Sequence, residues 1–152
     1  MGNQWLKLGG ILSFAVALLH VVIIFGGASA YRYFGAGKEM ATAAESGSAF
    51  PAVLTLFLVA IFAIWGFYGL SGAGVVRRLP LLKIALILIG AVYTLRGVAV
   101  FQQIFQLATS SAEVAPREIV SSLVSLVIGL AYLIGTISNW GGFGASNSIA
   151  QP

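Results

Sequence analysis

Arg96 stands in the middle of an apolar stretch, AVYTLRGVAVFQ. A charge inside a bilayer costs several kcal/mol unless it is paired, solvated or snorkelling toward the headgroups. The residues that could answer it are few, because the chain has one histidine, His20, and four acids, all glutamate. A guanidinium offers a planar fork of donors suited to carboxylates and other anions. His20 carries the one side chain whose ordinary titration lies near neutrality. Tyr93, Ser122 and Ser125 supply hydroxyls, and Glu118 supplies a carboxylate that would pair with Arg96 if the helices bring them together. Ser122, His20 and Glu118 also make a nominal Ser/His/acid set, but nothing in the sequence orders them. Hydroxyls that join helices explain these residues better, so no catalytic residue is assigned. With no cysteine and no aspartate there is little to hold a metal, and neither a metal nor a cofactor is expected.

The elements that must position these groups follow from composition. Of 152 residues, 59% are hydrophobic and 8% charged, whereas a soluble domain carries roughly 25% charged residues. The net charge of +4 comes from basic residues scattered between apolar runs, without the basic stripe of a nucleic-acid binder. No nucleic-acid partner is expected. Four apolar runs, about 6–28, 51–70, 81–101 and 119–140, each approach the ~20 residues that a helix needs to cross the hydrocarbon core. Pro51, Pro80 and Pro116 punctuate their starts, where a missing N–H costs nothing. The expected fold is all-α, one integral membrane domain: a bundle of four transmembrane helices with a disordered tail over about 141–152. GGASA after the first run resembles a signal-peptide cleavage site, but the run exceeds the usual apolar core of a signal peptide, so a retained first helix is expected.

Between the first two runs, YRYFGAGKEMATAAESGSAFP is too long for a tight turn. KEMATAAES suits a short helix lying on the outer membrane face, with Glu39 in its first turn and Gly47 beyond its end. GAG alone is too little for a phosphate-binding loop. Ser110 and Glu113 have capping-box spacing.

Helical spacing places Glu118, Ser122, Ser125, Gly129, Tyr132 and Thr136 on one face of the fourth run. Ser13, Ala17 and His20 share a face on the first, Thr55, Phe62, Gly66 and Gly69 on the second, and Tyr93, Arg96 and Gln103 on the third. Small and hydroxyl-bearing faces turn toward other helices in lipid, so Gly66, Gly69 and Gly129 are expected at helix contacts. At ~1.5 Å per residue, Arg96, His20, Glu118, Ser122 and Ser125 come to similar heights in the outer leaflet. Arg96 is then expected to top a buried polar cluster with Tyr93, His20 and Glu118, or else to extend to the headgroups.

YRYFGAGKEMA, AIWGFYGLSGAGVVRRLPLL and YTLRG resemble segments of a family of small, uncharacterised four-helix proteins of bacterial inner membranes, over residues 5 to 140. The resemblance implies that location and no established activity. Length and helix count are also similar to membrane-bound glutathione transferases, but PAVLTLFLVAIFAIWGFYGL lacks the Arg/Asn/Glu pattern expected on their second helix. An enzyme is therefore not expected. Two function classes remain. The leading expectation is an interaction or structural subunit, a homo-oligomer or the partner of another membrane protein. The alternative is a carrier whose outer-leaflet cavity around Arg96 and His20 takes a small anionic or amphipathic ligand.

Lys7, Arg77, Arg78 and Lys83 cluster at the N-terminus and the second connection, while the other two connections balance bases with acids. Basic short loops stay cytoplasmic, so both termini are expected inside. Reporters placed after Pro152 or near Gly74 should read as cytoplasmic, and those near Gly47 or Ala112 as external. A C-terminus reading as external refutes the four-span topology.

Overall fold

The structure, a computed structural model, describes residues 2–109 and 114–143. These form five α-helices and, among the described residues, no strand. They are α1 (Gly2–Tyr33), α2 (Lys38–Glu45), α3 (Phe50–Gly72), α4 (Leu82–Ala108) and α5 (Pro116–Ser138), followed by a 3-10 turn at Gly141–Phe143. Four are long and apolar enough to cross a membrane: Asn3–Tyr33, Phe50–Gly72, Leu82–Ala108 and Pro116–Ser138. The shortest has 23 residues, which at ~1.5 Å each exceeds the ~30 Å hydrocarbon core. α2 is the short helix expected between the first two spans.

The boundaries depart from the apolar runs where polarity and helicity part company. α4 continues seven residues beyond Phe101 to Ala108, because QQIFQLA is polar in part yet made of residues that tolerate a helix well. α1 runs to Tyr33 but breaks at Gly27, whose φ of 58° and ψ of −146° belong to a region open only to glycine. The last turns of α1 are thereby redirected toward α2, where Ile23, Tyr31 and Ala41 make a small separate core. Arg32 and Glu45, 2.5 Å apart, join the two helices at the surface. The tail expected to be disordered from residue 141 begins with an ordered turn: Arg78 donates to the Gly142 carbonyl at 3.2 Å and lies over the Phe143 ring. Residues 144–152, and the Ser110 and Glu113 capping pair, lie outside the described residues.

The surface and core are those of a protein whose solvent is lipid. Phe25 is 87% exposed, and Phe57, Leu95, Phe101 and Ile137 also face outward, while Ser13, Thr55, Ser122 and Thr136 are buried. Lipid supplies no hydrophobic drive between helices, so close approach and hydrogen bonds must hold them. α1 packs along α3 and α4 along α5, and α1 against α5 joins the two pairs. A Cβ on Gly10 would sit 2.9 Å from the Gly66 carbonyl oxygen, and one on Gly69 would meet the Gly10 Cα at 2.7 Å. In the second pair, a Cβ on Gly97 would lie 2.5 Å from the Leu126 Cα, and one on Gly129 2.5 Å from the Thr94 nitrogen. Gly66, Gly69 and Gly129 thus all lie at contacts within this chain.

Between the pairs runs a chain of hydroxyls. Tyr93 donates to Ser13 Oγ (3.2 Å), Ser13 and Tyr132 Oη are 3.1 Å apart, and Tyr132 donates to the Trp65 carbonyl at 2.7 Å. Since Tyr132 spends its proton on Trp65, Ser13 is the donor to Tyr132. The rings around them fill the same layer: Trp65 meets Tyr93 edge-on at 5.1 Å, and Phe62 meets Trp65 at 5.5 Å. Trp65 therefore packs against the core, and Tyr31, 2% exposed, is likewise turned in.

Gly129→Leu should destabilise the bundle by at least the ~1–3 kcal/mol typical of overpacking, because besides the Thr94 hydroxyl its neighbours on α4 are backbone, the Thr94 nitrogen and the Gly90 carbonyl oxygen, which cannot yield. Thermal unfolding in detergent measures it. Unchanged stability would mean that α4 and α5 do not approach this closely.

Candidate functional site

The residues expected to form one cluster fall in separate places. Tyr93 belongs to the buried hydroxyl chain, 4% exposed and committed to Ser13. His20 lies toward the α2 end of the bundle, its Nδ1 2.8 Å from the Val16 carbonyl and its ring 4.9 Å from that of Phe62. A carbonyl only accepts, so Nδ1 carries the proton in that bond. Ser125 donates to the Ser121 carbonyl one turn back on α5 at 2.8 Å. The separation has a geometric cause: similar height does not bring residues together when they point to different sides of a bundle.

Arg96 makes the remaining place. Its side chain crosses to α5, where Nη1 donates to Ser122 Oγ and Nη2 to Ser121 Oγ, both at 3.3 Å. The pairing with Glu118 is not formed: among the described residues the one ion pair is Arg32 with Glu45. Glu118 instead lines the same cavity as Arg96, about 220 Å3 in volume, together with Phe34, Gly35, Gln103 and Arg117. Snorkelling along α4 is not needed either, because Arg96 opens directly onto this cavity at the α2 end. The choice framed by the sequence, buried pair or headgroup contact, omitted the arrangement found.

Within the cavity two guanidiniums face one carboxylate, which leaves an excess of positive charge. Arg117 lies with its guanidinium 5.7 Å from the centre of the Tyr33 ring. Gln103, two helical turns beyond Arg96, has its amide oxygen buried with no hydrogen-bond partner. α5 begins here with Pro116 in its first turn and no side chain capping it, so the positive end of the helix dipole adds to the same charge. The arrangement suits an anion. Sequence reading had placed Gln103 on the Arg96 face but passed over Ser121, Arg117 and Phe34. Arg117 looked like a charge of the loop, and only its position at the α5 N-terminus opposite α4 brings it to Arg96.

A second cavity of about 310 Å3 lies beside the first, lined by His20, Ile23, Tyr31, Leu54, Thr55 and Leu58 among others. Tyr31 and Thr55 hydroxyls are 3.2 Å apart in its wall, and Thr55 donates to the Pro51 carbonyl. Apart from these two and His20 the lining is apolar. Phe34 borders both cavities. At the opposite end, Lys83 lies over the Trp140 ring at 4.8 Å and Asn139 donates to Asn3 at 2.8 Å, beside a third cavity of about 340 Å3 lined by Asn3, Arg78, Leu82, Asn139 and Phe143 among others. Among the described residues no group of three His, Cys, Asp or Glu side chains gathers to hold a metal.

Compared with protein-family models, curated proteins and solved structures, the chain matches none. The case for function rests on the site itself.

In a double-mutant cycle on unfolding in detergent, Arg96→Leu and Ser122→Ala should couple by ~0.6–1.7 kcal/mol, the range for hydrogen bonds between membrane helices. Arg96→Leu with Glu118→Gln should couple by less than ~0.5 kcal/mol, as for groups that share no bond. The reverse order would restore the ion pair.

Proposed function

We propose that this chain is a ligand-binding or carrier protein of the bacterial inner membrane that holds a small anionic molecule at the outer end of a four-helix bundle. The observation that carries the reading is the convergence of Arg96, from α4, and Arg117, from the first turn of α5, on one cavity that contains a single carboxylate. Arginine at such a place is expensive unless something answers its charge, and the serines that now receive Arg96 are neutral. An anion would complete the balance. Charge-assisted bonds to a guanidinium are among the stronger hydrogen bonds available.

The location follows the family resemblance, and the sidedness follows the cluster of Lys7, Arg77, Arg78 and Lys83 at the termini end, opposite α2. A scaffold or subunit role, with a second copy or another membrane protein as partner, finds less support. The glycines that would have formed its contact faces are taken up inside the chain, and what remains outward is large and apolar, as a lipid-facing surface requires.

Binding of dodecyl phosphate, followed by native mass spectrometry from a neutral detergent, tests the reading. Arg96→Gln and Arg117→Gln should each weaken binding by roughly tenfold or more, since a hydrogen bond to a charged group contributes ~1.5–3 kcal/mol. Lys83→Gln, at the other end, should leave it unchanged, and dodecyltrimethylammonium should not compete. Equal binding by wild type and both arginine variants would remove the anion site.

A further inference from the structure

The anion cavity does not stand alone, and its neighbour indicates what is attached to the anion. Phe34 closes α1's redirected end and lies against both cavities; Gly35 lines the charged one and Ala36 the apolar one. The turn Phe34–Ala36 is thus the partition between a compartment holding Arg96, Arg117, Glu118 and Gln103 and a compartment walled by Ile23, Leu54, Leu58 and Met40. Resting on the anion-binding reading, we propose that the ligand is a single-chain anionic amphiphile, with its head between Arg96 and Arg117 and its chain under α2 in the His20 cavity.

Three observations support this assignment. The charges are complementary to an anionic head and absent from the second cavity, whose lining contains no charged group apart from the histidine already bonded to its own helix. The two volumes together lie within the ~300–1,000 Å3 of sites that take small organic ligands, and one apolar compartment adjoins the head site among the described residues, which suits one chain rather than two. Gln103 presents a buried amide oxygen lacking a donor, which selects a head that carries an O–H or N–H beside its negative charge. A singly protonated phosphate monoester has both.

The path between compartments lies in a segment built to yield. Gly27, Gly35, Gly37 and Gly47 all have positive φ, and the bonds that tie the segment to the bundle are few: Tyr31 to Thr55, and the Arg117 guanidinium against the Tyr33 ring. Displacing Phe34 joins the cavities without disturbing the hydroxyl chain in the middle of the bundle.

The test uses dodecyl phosphate carrying a diazirine at the chain end, photolysed with the full chain in detergent and mapped by peptide mass spectrometry. Adducts are expected at Leu54, Leu58 or Ile23, lost with excess unlabelled dodecyl phosphate and lost in Arg96→Gln. Leu58→Trp and Leu54→Trp, each filling the apolar cavity, should abolish these adducts while methyl phosphate is still bound as by the wild type, which also shows that the variants are folded. Adducts only at outward residues such as Leu56 and Phe57, with arginine-dependent binding intact, would overturn the chain assignment and leave the anion site standing. Displacement of the probe by methyl phosphate as effectively as by dodecyl phosphate would do the same. If a two-chain phosphatidic acid displaces it better than dodecyl phosphate, the ligand is a bilayer lipid and the single-chain proposal falls. Loss of arginine dependence altogether would overturn the anion reading with it.

Discussion

One hydrogen-bonded chain takes a group from every spanning helix: Tyr93 from α4, Ser13 from α1, Tyr132 from α5 and the Trp65 carbonyl from α3. In lipid a hydroxyl without a partner is costly, and no hydrophobic force draws helices together to compensate. The chain therefore fixes both the rotation of each helix and its height against the others. Its demands explain neighbouring small residues. A Cβ on Gly69 would come within 2.8 Å of Tyr132 Oη, so the glycine leaves room for the bond as well as for α1.

Closing the middle of the bundle decides where a ligand can go. Tyr93 and Tyr132 stack at 6.2 Å, and Trp65 and Phe62 pack beside them, so the layer between the two ends is filled with rings and bonded hydroxyls. At the termini end the turn Gly141–Phe143 and Arg78 border a cavity of about 340 Å3 that Asn3, Leu82 and Asn139 also line. At the α2 end α1 breaks at Gly27 and α4 outruns α5's first turns, which leaves space on which Arg96 and Arg117 both open. Polar groups that would be intolerable in the closed middle survive there because they are open to water or to a ligand. With the middle filled, the anion site proposed at the α2 end is separated from the cavity at the termini end.

Much of the architecture was legible in the chain, for reasons specific to a membrane. Span number follows from runs of apolar residues, because lipid permits no other way to satisfy a buried backbone. The stripes containing Ser13, Gly66, Gly69, Gly129, Tyr132 and Thr136 point inward in the structure, as small and hydroxyl-bearing faces must. α2 was legible from KEMATAAES between glycines. Less legible were helix ends: polar QQIFQLA ends an apolar run but not a helix, and Gly27 bends a helix without ending it. Trp65 and Tyr31 carry the residue types of an interface, yet burial against Tyr93 and Thr55 claimed them.

The candidate site shows the same division more sharply. Sequence by itself determined that Arg96 lies within a span, that Gln103 shares its face and that His20, Ser122 and Glu118 reach comparable depth, since a helix fixes rise and rotation per residue. It did not determine which of those residues meet. That depends on how four helices are rotated and paired, and here the pairing of α4 with α5 gave Arg96 to Ser121 and Ser122, while the pairing of α1 with α3 gave His20 to a separate apolar cavity. Glu118, one residue from Arg117, was set at the cavity wall rather than on the guanidinium. Periodicity along one helix is a local property written in the chain, whereas the partner across a gap is chosen by the packing of all the helices together.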